Sequence, residues 1–190
     1  MFNFFILSAL CFTVCEGLLL NAPPRVKEIT SSCLELSPFQ RPSFHSIGQV
    51  LYLSRVEDCL AGDPAATTFW IQCCGSRKKI SYFDFLEEYC IYFNVDSFEY
   101  TNSSPLKRYL TESVPDFITL DDFATTVRYF GPFTQDMLLQ VRQVVATGWF
   151  WGQTDEETCL EALRECKNSY LVRFATTAGS FTFTGMQSEH

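Results

Sequence analysis

Few residues in this chain are of the types that carry nucleophilic or metal chemistry. His45 and His190 are the only histidines, and nine cysteines stand at positions 11, 15, 33, 59, 73, 74, 90, 159 and 166. An odd number without CxxC pairs or regular spacing does not describe a disulfide framework, so they read as free cytosolic thiols. A structural zinc site needs four Cys or His ligands at close spacing, which this distribution does not offer, and a Cys–His nucleophile fails on the same shortage of histidine. Neither a metal nor any other cofactor is expected. What remains is one arginine, Arg173, inside the apolar run 169–174, with the hydroxyls of Thr176 and Thr177 just beyond it. Taken alone, an arginine there is an edge residue whose stem lies on apolar surface while its head reaches water.

The elements that must position these residues are bounded by composition. The chain has 190 residues, is 47% hydrophobic, and includes nineteen Phe and eight Tyr, enough apolar surface for one domain or two small ones. Its net charge of -8 argues against a nucleic-acid groove, since the densest basic cluster is only Arg77, Lys78 and Lys79. Residues 2–14 are nearly all apolar and could form the hydrophobic part of a signal peptide, but they lack a basic leader, and Cys15-Glu16-Gly17 is a poor cleavage site. The run to Leu20 is interrupted by Glu16 and is marginal for a membrane span, so no stable membrane insertion is expected.

Proline then punctuates short helices. Pro23-Pro24 precedes the apolar-periodic Val26, Ile29, Cys33 and Leu34, and Pro38 ends that stretch. A second helix follows Pro42, with Phe44, Ile47, Val50 and Leu51 forming a stripe expected to face a core. Gly62-Asp63-Pro64 reads as a turn, while 65–72 fits either a strand or a helix. A weak repeat of period 38 aligns 80–93 with 118–131: in each copy Ile precedes Ser81 or Thr119, and Asp84 or Asp122 follows three residues after the hydroxyl. This is the pattern of a capping box, so each copy is expected to start a helix. Further helices are expected over 105–110, over 134–146 with Gly148 as its stop, and from Thr154-Asp155-Glu156-Glu157 with Cys159, Leu160 and Leu163 as its apolar stripe. Strands are expected over 169–174 and 180–184, with a turn at 176–179 between them and Phe181 and Phe183 on one face.

Three segments resemble known modules. Cys33-Leu-Glu-Leu-Ser-Pro38-Phe-Gln-Arg41-Pro42-Ser43-Phe44-His-Ser-Ile47 resembles the last conserved segment of protein kinases, Cys-Trp-x-x-x-Pro-x-x-Arg-Pro-Ser-Phe-x-x-Ile, with Leu34 in place of Trp. The glycine-rich loop, phosphate lysine, H-R-D and D-F-G that phosphoryl transfer requires are absent, Asp84-Phe85-Leu86 being no substitute. The resemblance implies a protein kinase acting on Ser, Thr or Tyr as the parent, with no activity expected of these residues. Without an A-P-E motif, Arg41 lacks the glutamate its position implies. The two capped helices, with the shorter one between them, resemble a degenerate EF-hand pair. Calcium binding is not expected of it, because Pro115 and Phe117 occupy the positions where oxygen ligands would stand.

The third resemblance bears on Arg173. Trp149-Phe150-Trp151-Gly152, a helix, Tyr170-Leu171-Val172-Arg173-Phe174 and Gly179-Ser180-Phe181-Thr182-Phe183 resemble the opening of a Src-homology-2 (SH2) domain, including its F-L-V-R strand. The resemblance implies that Arg173 points inward and forms a bidentate, charge-assisted pair with the phosphate of phosphotyrosine, helped by Thr176, Thr177 and loop amides. Relative to that family, Asp155 stands where a helix arginine is usual and Ala175 where a serine is usual, and the chain ends before the family's third central strand and second helix.

In this order the pieces resemble the amoebal SH2-bearing protein kinases. The expected fold is α+β, its N-terminal two-thirds mostly helical and followed by a partial SH2 domain of one helix and antiparallel strands. The expected divisions are a kinase-lobe remnant at 16–58, an EF-hand-like spacer at 76–147 and half an SH2 domain at 149–190. The expected function is binding of phosphotyrosine-containing proteins or peptides in cytoplasmic signalling. The alternative is a secreted or membrane-anchored α+β protein that uses residues 1–17 as a signal segment and binds no phosphotyrosine.

Overall fold

Proline placement decides the first elements. In the computed structural model, which describes residues 22–35, 37–96, 103–164, 169–177 and 179–185, helix α1 (Pro24–Cys33) opens on a proline whose missing N–H would have had no helical partner. A 3-10 turn follows at Pro38–Gln40, then helix α2 (Phe44–Cys59). Ser43 Oγ accepts from the Ser46 amide at 3.1 Å at the start of α2, and Arg25 pairs with Glu57 at 3.1 Å. Arg41 is exposed and its Nε donates to the Glu35 carbonyl at 2.8 Å, so its charge stays solvated without a buried glutamate. The expected stripe on α2 is only partly realised: Ile47 and Val50 are half-buried, whereas Phe44 is 93% exposed and Leu51 48%. Burial on α2 falls instead on Ser54 and Val56, one turn further on.

The chain divides into two compact units, residues 1–58 and 59–190. In the second, the run left open between strand and helix is helix α3 (Pro64–Cys74). Asp63 decides it: one carboxylate oxygen accepts from the Ala66 amide at 3.0 Å as an N-cap, and the other accepts from the Phe133 amide at 2.6 Å, seventy residues away. Phe69 and Trp70 of α3 are fully buried, and rings gather around them. Phe69 meets Phe85 edge-on at 5.5 Å and Phe133 at 5.0 Å, and Trp70 stacks on Phe123 at 5.2 Å. These pairs make the core of the helical part and add directional preference to apolar burial.

Both copies of the repeat start helices, α4 (Tyr82–Phe93) and, after α5 (Ser104–Leu110), α6 (Leu120–Phe130). Ahead of them lie strands β1 (Lys79–Ser81) and β2 (Phe117–Thr119), which pair antiparallel with Ile80 opposite Ile118, both buried. Thr119 and Asp122 make the full capping box: Thr119 Oγ1 accepts from the Asp122 amide at 3.2 Å, and Asp122 accepts from the Thr119 amide at 3.1 Å. At the first copy only the forward half forms, from the Asp84 amide to Ser81 Oγ at 3.1 Å. Helix α7 (Met137–Val145) starts later than 134 because the Thr134 carbonyl accepts from the Tyr89 hydroxyl at 2.6 Å and from the Met137 amide at 3.1 Å, which fixes the preceding turn.

Helix α8 (Glu156–Leu163), strand β3 (Tyr170–Phe174) and strand β4 (Phe181–Gly185) complete the chain. Strands β3 and β4 pair antiparallel, with Arg173 opposite Thr182 and Phe174 opposite Phe181. The fold is α+β and mostly helical: among the described residues there are eight α-helices and two antiparallel two-stranded sheets. Among these residues no helix is long and apolar enough to cross a membrane. The apolar run 2–20, Cys11, Cys15, Cys166 and His190 lie outside the described residues.

Candidate oxyanion site on strand β3

Alternation along β3 divides its side chains between two environments. Leu171 and Arg173 point to one face and Tyr170, Val172 and Phe174 to the other. On the first face, Leu171 packs with Cys159 and Leu163 of α8, flanked by Trp151 and Ala162. Helix α8 therefore covers the face that carries Arg173. Of the stripe expected on α8, Cys159 and Leu163 are buried and Leu160 is left 38% exposed.

One edge of β3 pairs with β4, and the other takes the segment 149–152. The Val172 amide donates to the Trp149 carbonyl at 2.7 Å, the Trp151 amide to the Val172 carbonyl at 2.9 Å, and the Phe174 amide to the Gly152 carbonyl at 2.8 Å. Gly152 has a φ of 59°, a left-handed conformation that suits glycine at the turn toward α8. Thus Trp149-Phe150-Trp151-Gly152 and Tyr170-Leu-Val-Arg-Phe174, far apart in sequence, run side by side.

Arg173 is 13% exposed at its side chain, and its Nη2 donates to Glu156 Oε2 at 3.0 Å. Glu156 is the first residue of α8 and is 67% exposed. The guanidinium Nε is buried and has no hydrogen-bond partner. A buried donor without an acceptor is costly, so the fork is incompletely satisfied. Burial pushes the Cys159 thiol above its usual range, and the charge of Arg173 acts in the opposite direction, which puts the guanidinium field inside the α8 contact.

The resemblance put Asp155 at the position of a phosphate-holding helix arginine, and its carboxylate is engaged elsewhere. Asp155 is the N-cap of α8: its carboxylate accepts from the Thr158 amide at 2.9 Å and from the Thr158 hydroxyl at 2.8 Å. These bonds hold its carboxyl below the usual carboxylate range, the backbone bond contributing most. The acid that reaches Arg173 is its neighbour Glu156, which spacing alone did not single out. The signal that could have found it is the capping rule: an Asp three residues before a hydroxyl is drawn to the backbone, which leaves the next acid to project.

Thr176 and Thr177 lie exposed in the turn between β3 and β4. That turn is closed by the Ala175 amide donating to the Ser180 carbonyl at 2.9 Å and by the Ser180 amide donating to the Thr177 carbonyl at 3.2 Å. Gly179 supplies a φ of 73°. The threonines thus stand three and four residues after Arg173 along the chain, while the partner in contact with the guanidinium is Glu156.

On the far face of β3, Phe174 stacks on Tyr129 with ring centres 3.8 Å apart and meets Phe150 edge-on at 5.3 Å. The Tyr129 hydroxyl donates to the Ala175 carbonyl at 2.9 Å, which ties α6 to the start of the turn. A separate groove of about 950 Å³ lies between α5 and the segment 147–154, lined among others by Lys107, Tyr109, Thr111, Phe150 and Trp151. Its Lys107 is paired with Asp116.

No known family profile matches the chain. It is similar to the dual specificity protein kinase shkB of Dictyostelium discoideum, 24% identical over 169 residues that cover 85% of this chain and 26% of that protein. It is also similar to the dual specificity protein kinase shkA of the same organism, 22% identical over 193 residues that cover 86% of this chain and 36% of that protein. The chain therefore spans about a quarter to a third of the length of the curated relatives it matches. These comparisons show a weak similarity to dual specificity protein kinases over most of this chain.

Proposed function

We propose that residues 149–190 form the phosphate-binding half of an SH2-type module and that the chain binds phosphotyrosine peptides through Arg173, as part of a cytoplasmic signalling protein. One observation carries this reading. Arg173 is held nearly out of water beneath α8 and already grips an oxyanion, the Glu156 carboxylate at 3.0 Å. A phosphate monoester offers the same two-oxygen edge with more charge, and arginine is the side chain whose planar fork matches it. The groups on either side of Arg173 support the same reading. The segment 149–152 and β4 hold β3 from both edges, so the arginine stands on a fixed strand rather than on a loop.

On this reading residues 16–58 are the remnant of a kinase C-lobe, residues 76–147 an EF-hand-like spacer, and Thr176 and Thr177 the hydroxyls that approach the phosphate from the turn. The similarity to dual specificity kinases over most of the chain favours that origin. The phosphoryl-transfer machinery is not among these residues, so the activity of the chain is recognition.

Fluorescence anisotropy of a labelled phosphotyrosine peptide, with its unphosphorylated twin as the reference, tests the proposal. The wild-type chain binds the phosphorylated form selectively, and Arg173→Ala weakens that binding by roughly a hundredfold, the scale of a lost charge-assisted pair of about 3 kcal/mol. Arg173→Lys keeps the charge but not the fork and loses most of the same affinity. Equal binding of the two peptides, or indifference to Arg173→Ala, would falsify it.

A further inference from the structure

We infer that Glu156 is an internal competitor for the Arg173 site, so that a ligand phosphate enters only by displacing the Glu156 carboxylate. The inference rests on the phosphotyrosine reading and adds a built-in restraint to it.

The two partners are unequally held. The Arg173 side chain is 13% exposed and Glu156 is 67% exposed. Helix α8 confines the arginine, whereas the glutamate at the helix start needs only side-chain rotations to return to water. The contact is also incomplete, because one carboxylate oxygen meets Nη2 while the buried Nε meets no acceptor. Glu156 therefore occupies the fork without filling it, which leaves an inward-facing donor for a second oxygen. A phosphate that approached with Glu156 in place would meet a carboxylate within the same few ångströms, and like charges at that distance repel. The two anions oppose each other at one guanidinium, so the phosphate gains its full pair with Arg173 as the glutamate leaves.

Neighbouring acids do not have this position. Asp155 is engaged by Thr158 at the helix cap, and Glu157 is exposed on α8 with no bond to Arg173. Among the described residues the competitor is thus one, and removing its charge is distinguishable from removing a charge nearby. Affinity for phosphotyrosine in the wild-type chain is then lower than an open arginine pocket would have, by the free energy of parting the Arg173–Glu156 pair.

The experiment compares four full-length chains, the wild type, Glu156→Gln, Glu156→Ser and Glu157→Gln, for binding a phosphotyrosine peptide of otherwise neutral sequence and its unphosphorylated twin. Glu156→Gln binds the phosphopeptide tighter by on the order of tenfold, the gain expected when a partly exposed charge pair no longer opposes binding. Glu156→Ser gives the same direction and serves if the glutamine variant does not fold. Glu157→Gln, with the same change in net charge, stays within about twofold of the wild type, as expected for an exposed charge outside the pair. If the wild type and the Glu156 variants bind the phosphopeptide equally, phosphotyrosine recognition stands and the competitor is overturned. A gain at Glu157→Gln equal to that at Glu156→Gln overturns it too, because bulk charge would then explain both. If no chain prefers the phosphorylated peptide, the phosphotyrosine reading itself fails and this inference falls with it.

Discussion

At the scale of single residues, burial and charge act on the same few groups around Arg173. Cys159 is fully buried within range of the Arg173 charge, and burial raises its thiol, so little thiolate is present near neutral pH. Cys33 and Cys59 are free and partly exposed, whereas Cys73, Cys74, Cys90 and Cys159 are free and buried. Alkylation of the native chain followed by peptide mass analysis is expected to label Cys33 and Cys59 well before Cys159; comparable early labelling of Cys159 would mean that α8 does not cover β3 as described. Arginine in a strand of the form Tyr-Leu-Val-Arg-Phe could be read from the sequence, as could the acids before α8. Which of three consecutive acids, 155 to 157, would face the arginine was legible only through the cap: once Asp155 is taken up by Thr158, the helix phase leaves Glu156 to project.

At the scale of elements, local chemistry was the more legible part. Ser81 and Thr119 begin helices as their spacing requires, and Gly131, Gly148 and Gly152 stand where helices stop or turns begin. The two caps are not equal, since only Thr119–Asp122 closes in both directions. Thr119→Ala is therefore expected to cost about 1 to 2 kcal/mol, against roughly 1 kcal/mol or less for Ser81→Ala. Urea denaturation followed by circular dichroism measures both, and a larger loss at Ser81 would contradict the geometry. Asp63→Ala removes a cap and also leaves the Phe133 amide without its carboxylate in a buried turn. Its expected cost is about 2 to 4 kcal/mol, the sum of a lost cap and an orphaned buried donor. The run 65–72 stayed ambiguous in sequence for a related reason. Its buried residues Ala66, Phe69, Trp70, Cys73 and Cys74 do recur at helical spacing, but only the first three fall inside 65–72, too few to set a period, and the residue that caps the helix also answers to Phe133, far along the chain. On α2 the period was read correctly and the burial was not, because periodicity identifies a face without supplying the surface that covers it.

At the scale of the whole molecule, the chain is two units, and the second carries both the aromatic core and Arg173. Residues 59–190 are accordingly expected to fold without 1–58. A chain starting at Cys59 should keep the near-ultraviolet circular dichroism of its packed rings and a cooperative thermal transition, and the loss of both would show that the first unit is required. The α+β class and the last elements followed from turn residues and alternation, whereas the three-residue strands β1 and β2 were not foreseen, being too short to alternate. The similarity to kinases could be read from a short motif because Pro38, Arg41, Pro42 and Phe44 stand at fixed spacing.

Phe174 and Arg173 are neighbours on β3 that face opposite ways, one locked against Tyr129 and Phe150, the other under α8. A break of the chain at Gly148 would therefore divide the partners of Phe174: Phe150 would stay with β3, while Tyr129 would remain on α6. The strand would keep the helix over Arg173 and lose the ring stacked behind Phe174. A fragment beginning at Trp149 is thus expected to expose an aromatic face and to associate where the longer chain does not.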